Sequence, residues 1–275
     1  MQKKLINIRW SICIVLLLFL LKLQGQQDPQ YTQYMYNMNV VNPAYTTNDV
    51  GMLNFGTLYR TQWENAVGAP KTLTFFAHTP LSEKIEMGAS IIADDIGDGS
   101  LKENNIYVDF AYILKLDEKS NLSLGLKGGV TTFETNFNGF RLPEIQDDPA
   151  FNENLNNTFP NIGVGAFYNR DKFYAGFSIP NLLTSKHLEN RDGITRIGAE
   201  AIHLFGMAGY IFDINTNLKL KPSILTKMVS GAPITADFSF NALFNNRFEG
   251  GVSYRLEDSV SAMFNVSVVP ALRIG

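Results

Sequence analysis

The histidines are the residues of this chain whose type most readily suggests chemistry. His78, His187 and His203 are scattered along the sequence, and no pair of them has the spacing of metal ligands on one element. The chain also lacks a Gly-x-Ser-x-Gly sequence, which would place a nucleophilic serine on a strand-to-helix turn. The residues therefore predict no catalytic site, no metal site and no cofactor.

Two acidic stretches suggest cation binding more weakly. The sequence Asp94-Asp95-Ile96-Gly97-Asp98-Gly99 resembles a calcium loop, but Ile96 occupies a ligand position and Asn105 stands where the closing Glu should be. We interpret it as a solvated turn. The predicted loop 135–158 carries four acids, for which a weak cation or partner contact stays open because surface loops often carry function. These are Glu144, Asp147, Asp148 and Glu153.

The elements that would position such residues are strands. In residues 217–244, apolar side chains such as Leu220 and Phe240 alternate with polar ones such as Lys221 and Asn241. A period of two places the two sets on opposite faces of a strand. The pattern recurs in segments of about ten residues, which is typical of transmembrane β-barrels. The predicted strands are 51–63, 70–79, 84–94, 103–115, 121–133, 159–169, 172–180, 202–212, 217–229, 234–244, 247–256 and 259–269.

The two faces predict which side chains meet lipid and which line a lumen. We assign the apolar sets to lipid and the polar sets to the lumen, so that the lumen carries charges of both signs. These are Asp109, Lys127, Lys219, Lys221 and Asp237. They either neutralise one another inside a filled barrel, as charges away from water tend to do, or line a polar conduit. Connections after even-numbered strands are short and several others are long, as in outer-membrane barrels.

The first residues predict export. Lys3, Lys4 and Arg9 precede an apolar run at 12–21 that is too short to span a bilayer as a helix. We expect a signal peptide at 1–25, a periplasmic or plug segment at 26–50 and a barrel at 51–275. Cys13, the single cysteine, lies in this leader. The net charge of −3 becomes −7 when Lys3, Lys4, Arg9 and Lys22 are removed, which argues against nucleic-acid binding.

The last residues begin another alternating strand at Ala271 and stop at Gly275. Bacterial barrels usually have an even number of strands. The sequence therefore predicts an all-β fold, a transmembrane antiparallel barrel of about fourteen strands when complete. We expect this chain to be C-terminally incomplete.

Several motifs in this order resemble the PorP/SprF family of outer-membrane proteins from the type IX secretion and gliding-motility systems of Bacteroidetes. They are Gln27-Asp28-Pro29-Gln30-Tyr31-Thr32-Gln33-Tyr34-Met35, Asn42-Pro43-Ala44-Tyr45, Arg60-Thr61-Gln62-Trp63, Gly68-Ala69-Pro70-Lys71-Thr72, Phe173-Tyr174-Ala175-Gly176-Phe177-Ser178-Ile179-Pro180-Asn181-Leu182-Leu183, Leu218-Lys219-Leu220-Lys221-Pro222-Ser223, Gly231-Ala232-Pro233 and Leu272-Arg273-Ile274-Gly275. The chain departs from the family at Thr46-Thr47, where Ala-Gly is usual, and at its end, where the family continues through further strands.

The resemblance implies a non-enzymatic role in the outer membrane. Partners would be the outer-membrane lipids and a secreted adhesin-like substrate or its sorting domain. Other members of the family link the membrane to periplasmic lipoproteins of the secretion machine. The alternative is a passive porin-like or hydrophobic-solute channel, for which an open lumen with measurable conductance would argue.

The N-terminal segment is the candidate functional site. It lies outside the strand pattern and is rich in Tyr and amide side chains, which make adaptable contacts. We predict that it either contacts a partner or fills the barrel as a plug, and the two roles are compatible. The residues concerned are Asp28, Pro29, Tyr31, Gln33, Tyr34, Asn42, Pro43 and Tyr45.

Overall fold

A computed structural model of the chain describes residues 32–47, 49–136, 154–183, 190–191, 194–195, 202–230 and 232–275. The leader predicted at 1–25 lies outside these residues. Residues 31–275 form one compact unit. Its strands are β1 Asn54–Thr61, β2 Lys71–Ser82, β3 Ile85–Ile96, β4 Leu101–Lys115, β5 Ser120–Thr135, β6 Asn156–Arg170, β7 Phe173–Ile179, β8 Asn190–Arg191, β9 Ile194–Thr195, β10 His203–Tyr210, β11 Phe212–Asp213, β12 Leu218–Val229, β13 Thr235–Phe244, β14 Phe248–Arg255, β15 Ser259–Val269 and β16 Leu272–Ile274.

Fourteen of the described strands form one antiparallel sheet, and consecutive strands are neighbours along most of it. The order is β1 to β7, then β10, then β12 to β16, and β11 pairs with β12. The short strands β8 and β9 pair only with each other, inside a connection for which the sequence predicted no strand. An N-terminal 3-10 helix, Tyr34–Tyr36, and a helix α1, Met38–Val41, precede the sheet.

The sheet has a polar face that is buried and an apolar face that is exposed. On β5, Lys127 is 3% exposed while Leu126, the residue before it, is 60% exposed. The outer neighbours of Leu126 on β4 and β6 are Phe110 and Val164, which are also exposed. A soluble sheet protein has the reverse arrangement, so this distribution is that of a barrel surrounded by lipid.

The inner face curves around the N-terminal residues 32–47, which we call the strap. Hydrogen bonds join the strap to strands that are far apart in the sheet, including those between Thr47 and Glu86 of β3, Thr46 and Ser123 of β5, Tyr34 and Ser223 of β12, and Tyr36 and Asn265 of β15. One short segment can touch strands from β3 to β15 only if the sheet wraps around it. The prediction of an all-β, antiparallel barrel is confirmed.

The strand ends at one side of the barrel, which we call the short-turn end, are joined by tight turns. These turns are 83–84, 116–119, 171–172, 214–217, 245–247 and 270–271. Asn245 and Asn246 both have φ near 51°, the left-handed conformation that two-residue hairpin turns require and that Asn tolerates. The chain also passes from the strap into β1 at this end, because Gly51 N donates to Pro80 O at the end of β2.

None of the helices within the described residues is both long and apolar enough to cross a membrane.

A charge on the outer face tests the assignment of that face to lipid. Leu126 lies in the middle of β5, so Leu126→Lys is expected to destabilise the barrel in vesicles by about 2–4 kcal/mol, the usual cost of a cation at the bilayer midplane. Denaturant unfolding in vesicles measures the change. Leu126→Phe is the matched control and should be close to neutral. Equal stability of the Lys and Phe variants would contradict a lipid-facing position.

Candidate functional site

Asn42, Pro43 and Ala44 of the strap lie against glycines of the barrel wall. Asn42 is 0% exposed, and its Nδ2 donates to Ala166 O of β6 at 3.1 Å. Its Oδ1 accepts from Ala44 N at 2.9 Å, which fixes the turn of the strap at this point. The amide side chain therefore joins the strap to the wall and holds its own backbone.

Wall glycines at this position leave the space that the strap occupies. A Cβ added to Gly125 of β5 would collide with the backbone of Pro43 and Ala44, and one added to Gly165 of β6 would collide with the Asn42 side chain. A Cβ on Gly176 of β7 would lie 2.8 Å from Asn42 Nδ2. Glycine is used where another segment must approach a strand closely. Here that segment is the strap, through its backbone at Gly125 and through the Asn42 side chain at Gly165 and Gly176.

Apolar packing inside the barrel is centred on the strap. One cluster of buried residues contains four strap residues and three wall residues: Tyr34, Met38, Val41, Ala44, Phe167, Met207 and Leu225. Val40 packs separately against Phe76 and Ile92 of the wall. Burial contributes about 1.5–3 kcal/mol for a large apolar side chain. The large strap side chains thus contribute an amount comparable to the net stability of a small domain, about 5–15 kcal/mol.

The deepest part of the strap meets a charged pair of the wall. Lys127 Nζ, near the middle of β5, donates to Val40 O at 2.8 Å and lies 3.6 Å from Asp109 Oδ1 of β4. The ammonium also lies 5.1 Å from the centre of the Tyr107 ring. All three wall side chains are buried. Lys127 therefore satisfies a strap carbonyl and balances the Asp109 charge.

A second polar group holds the end of the strap that leads into β1. Glu86, the second residue of β3, accepts from Thr47 N at 2.9 Å, and its other oxygen is 2.6 Å from His78 Nδ1 of β2. The Tyr45 ring packs edge-on against His78, with 5.5 Å between the ring centres, and edge-on against Phe167 at 5.3 Å. Strap and wall are thus joined by a buried carboxylate and by aromatic contacts.

A third polar group holds the other end of the strap. The Tyr36 ring lies 5.7 Å from Lys221 Nζ of β12 and 5.4 Å from the Arg273 guanidinium of β16. Both cations pair with Glu249 of β14, at 2.8 and 3.4 Å. The Tyr36 hydroxyl accepts from Asn265 Nδ2 of β15 at 3.2 Å. One tyrosine therefore contacts side chains of three strands and lies close to the carboxylate of a fourth.

Comparison with known proteins places the chain in a family. A family model described as "Type IX secretion system membrane protein PorP/SprF" matches residues 23–275. The chain belongs to the PorP/SprF family. The resemblance seen in its sequence motifs is confirmed.

Other comparisons add little to this PorP/SprF assignment. No curated protein sequence matches the chain. A solved structure from a study titled "Unveiling the Mechanism Behind the in-meso Crystallization of Membrane Proteins" is 14% identical with a TM-score of 0.43, covering 78% of this chain and 81% of the other. A similarity at this level carries no argument about fold or function.

The predicted lumen charges of this PorP/SprF chain all lie on the inner face, but they do not form one cluster. Asp109 pairs with Lys127, Asp237 pairs with Arg255 at 2.7 Å, and Lys221 pairs with Glu249. Lys219 is half-buried near the short-turn end. Sequence reasoning missed Glu86, Glu249, Arg255 and Arg273, although each has the inward parity of its strand and could have been found by extending the alternation.

The predicted strap residues divide into two groups. Tyr34, Asn42 and Pro43 are buried against the wall, Tyr45 packs on His78 and Phe167, and Gln33 is half-buried with its carbonyl accepting from Tyr36 N. Asp28, Pro29 and Tyr31 lie outside the described residues. A partner contact by any of these residues stays a prediction.

The residues that suggested metal chemistry make other contacts in the PorP/SprF barrel. Asp95 Oδ1 accepts from Gly99 N at 2.6 Å and Asp98 pairs with Lys71 at 3.6 Å, as in a solvated turn. No group of three or more His, Cys, Asp or Glu side chains that could hold a metal occurs among the described residues. His187 and the acids Glu144, Asp147, Asp148 and Glu153 lie outside those residues.

Burial of the strap tyrosines predicts a dependence on alkaline pH. Desolvation, with a smaller effect of Glu86, raises the pKa of Tyr45 to about 12 from the ordinary value of about 10. A raised pKa favours the neutral hydroxyl, so this stabilisation is complete below pH about 10 and is lost as the pH rises through about 12. Tyr45→Phe is therefore expected to lose less stability between these pH values than the wild type. Denaturant unfolding of the two proteins across this range measures the difference, and equal losses would contradict a buried Tyr45 hydroxyl.

Proposed function

We propose that this protein is a non-enzymatic outer-membrane component of the type IX secretion system. Its membership of the PorP/SprF family supports the role in secretion. The apolar outer face and polar, charged inner face support an outer-membrane location, since β-barrels with this distribution are outer-membrane structures. In this role the barrel supports the secretion or surface attachment of a large adhesin-like partner, or anchors the machinery from the periplasm.

The observation that carries the proposal beyond the family is the strap inside the barrel. The strap lies across the inner face at the short-turn end, the periplasmic end in barrels of this type, and is held by buried polar groups at three places. This arrangement disfavours the alternative of a passive channel, because a filled lumen offers no wide aqueous path.

Two measurements on the full-length protein test the proposal together. Deletion of the gene is expected to remove one or a few large proteins from the cell surface, and complementation should restore them, with surface proteomes compared by mass spectrometry. The purified protein is expected to show no conductance steps in planar bilayers. An unchanged surface proteome together with regular conductance steps would refute the secretion role and leave a channel.

A further inference from the structure

Residues 36–47 of the strap begin and end near the short-turn end of the barrel. Thr47 contacts the second residue of β3, and Tyr36 contacts Lys221, four residues into β12. Between them the strap rises to Val40, which meets Lys127 near the middle of β5. Residues 36–47 therefore rise to about the middle of the barrel and return toward the same end, so that they lie in the short-turn half of the lumen.

The wall is shaped for the strap at its inner surface. The glycines at 125, 165 and 176 come from three adjacent strands and together receive the sequence Asn42-Pro43-Ala44. Ser223, Ser239 and Ser253 are cross-strand neighbours and form a row of serines on the wall. The Tyr34 hydroxyl donates to Ser223 Oγ of this row at 2.9 Å. A surface with both matching space and matching hydrogen-bond partners is specific for one occupant.

Removal of the strap would leave wall groups without partners. The glycine surface would lose its contacts with Asn42, Pro43 and Ala44, and Phe167, Met207 and Leu225 would lose the strap side chains of their cluster. Ser178 Oγ, which donates to Val41 O at 2.8 Å, would lose its acceptor. The wall therefore loses packing and hydrogen-bond partners when the strap leaves, which favours the docked state.

We propose that the strap stays in place while the protein works, as a fixed internal core of the barrel. The partner then engages the protein outside the short-turn half of the lumen, and no polypeptide passes through it. This inference rests on the proposed function, because it concerns the state of the barrel during secretion.

A disulfide between strap and wall tests the inference directly. The Thr46 and Ser123 hydroxyls lie 2.9 Å apart and both residues are buried, so Thr46→Cys with Ser123→Cys should form a disulfide in an oxidising compartment. The mature chain predicted here has no other cysteine to compete. The matched control is Asn105→Cys with Thr131→Cys, a buried cross-strand pair of β4 and β5 in which Thr131 Oγ1 donates to Asn105 Oδ1 at 2.5 Å, so that it joins wall to wall and leaves the strap unlinked.

The expected result is full crosslinking of both pairs in the membrane and unchanged secretion. Surface levels of the secreted partner should stay within about twofold of the wild type, because the crosslinked barrel keeps its strap docked. A several-fold change in the abundance of the barrel itself would need a stability loss of about 1–2 kcal/mol. Loss of secretion in the strap-to-wall variant alone, restored by a reductant, would overturn the inference by showing that the strap must move. Failure of the Thr46–Ser123 pair to crosslink while the control pair does so would also overturn it.

A single substitution keeps the test informative if the double variants do not accumulate. Thr46→Cys alone is nearly isosteric, and its thiol should stay protected from a membrane-permeant maleimide in secreting cells. Labelling during secretion would contradict a fixed strap. Labelling of the Thr46→Cys thiol is measured without reference to the secreted partner. The fixed strap and the proposed secretion role can therefore fail separately, since an unchanged surface proteome after gene deletion would refute only the secretion role.

Discussion

The variant Lys127→Met is expected to destabilise the barrel by about 3–5 kcal/mol, because it leaves the buried Asp109 carboxylate without its cation. Neither Asp109 oxygen accepts a hydrogen bond from a described residue, so the carboxylate depends strongly on the Lys127 ammonium at 3.6 Å. The substitution also removes the donor to Val40 O. Denaturant unfolding in vesicles measures the loss.

Two control variants show whether the pairing is the cause. Lys115→Met removes an exposed lysine of β4 and should change stability little. The double variant Asp109→Leu with Lys127→Met replaces both charges by apolar side chains and should recover much of the loss, because a buried ion pair can often be replaced in this way. A double variant that is as unstable as the sum of the two single variants would contradict a coupled pair.

The variant Gly125→Val is expected to prevent the strap from packing on the wall. The first added carbon already collides with the backbone of Pro43 and Ala44, which cannot turn aside as a flexible side chain could. The expected loss is about 3 kcal/mol if the wall merely overpacks, the usual upper cost of overpacking. It is at least about 4.5 kcal/mol if the burial of Tyr34, Met38 and Val41 is lost, at about 1.5 kcal/mol or more for each side chain. Denaturant unfolding measures the stability, and maleimide labelling of Thr46→Cys in the same background measures strap release.

The same strand provides the matched control for this variant. Gly128 lies three residues further along β5 on the outer face, where an added Cβ has no neighbour within 4 Å. Gly128→Val is expected to fold as the wild type does, and to gain β propensity. Equal behaviour of the two valine variants would show that the strap does not lie over Gly125.

The strands could be predicted from the sequence because one set of residues faces lipid and the other faces the lumen. The alternation in β4 and β5 fixes both the strand and its orientation, as with Leu126 outside and Lys127 inside. The break at Ile211, which divides β10 from β11, was not predicted, because the alternation through 202–212 gives no signal of it. The hairpin of β8 and β9 was missed because each strand has only two residues.

The candidate site could be predicted only in part. Tyr34, Asn42 and Tyr45 stood out because they lie in a segment that breaks the strand pattern, which is a local signal. The glycines at 125, 165 and 176 carry no such signal, because glycine is common in strands of this chain and its purpose here depends on a segment more than seventy residues away. The pairing of Glu249 with Lys221 and Arg273 likewise depends on the register of three strands.

The position of the strap in the chain determines when its binding surface is complete. The strap precedes every strand, yet Tyr34 bonds a residue 189 positions later and Tyr36 bonds one 229 positions later. Contacts so distant in sequence form slowly during folding, because long loops must close first. Residues 34 and 36 must therefore wait for β12 and β15 before their contacts can form. Docking of the strap is thus complete only after β15 has formed, and a chain stalled before that strand would still expose the strap.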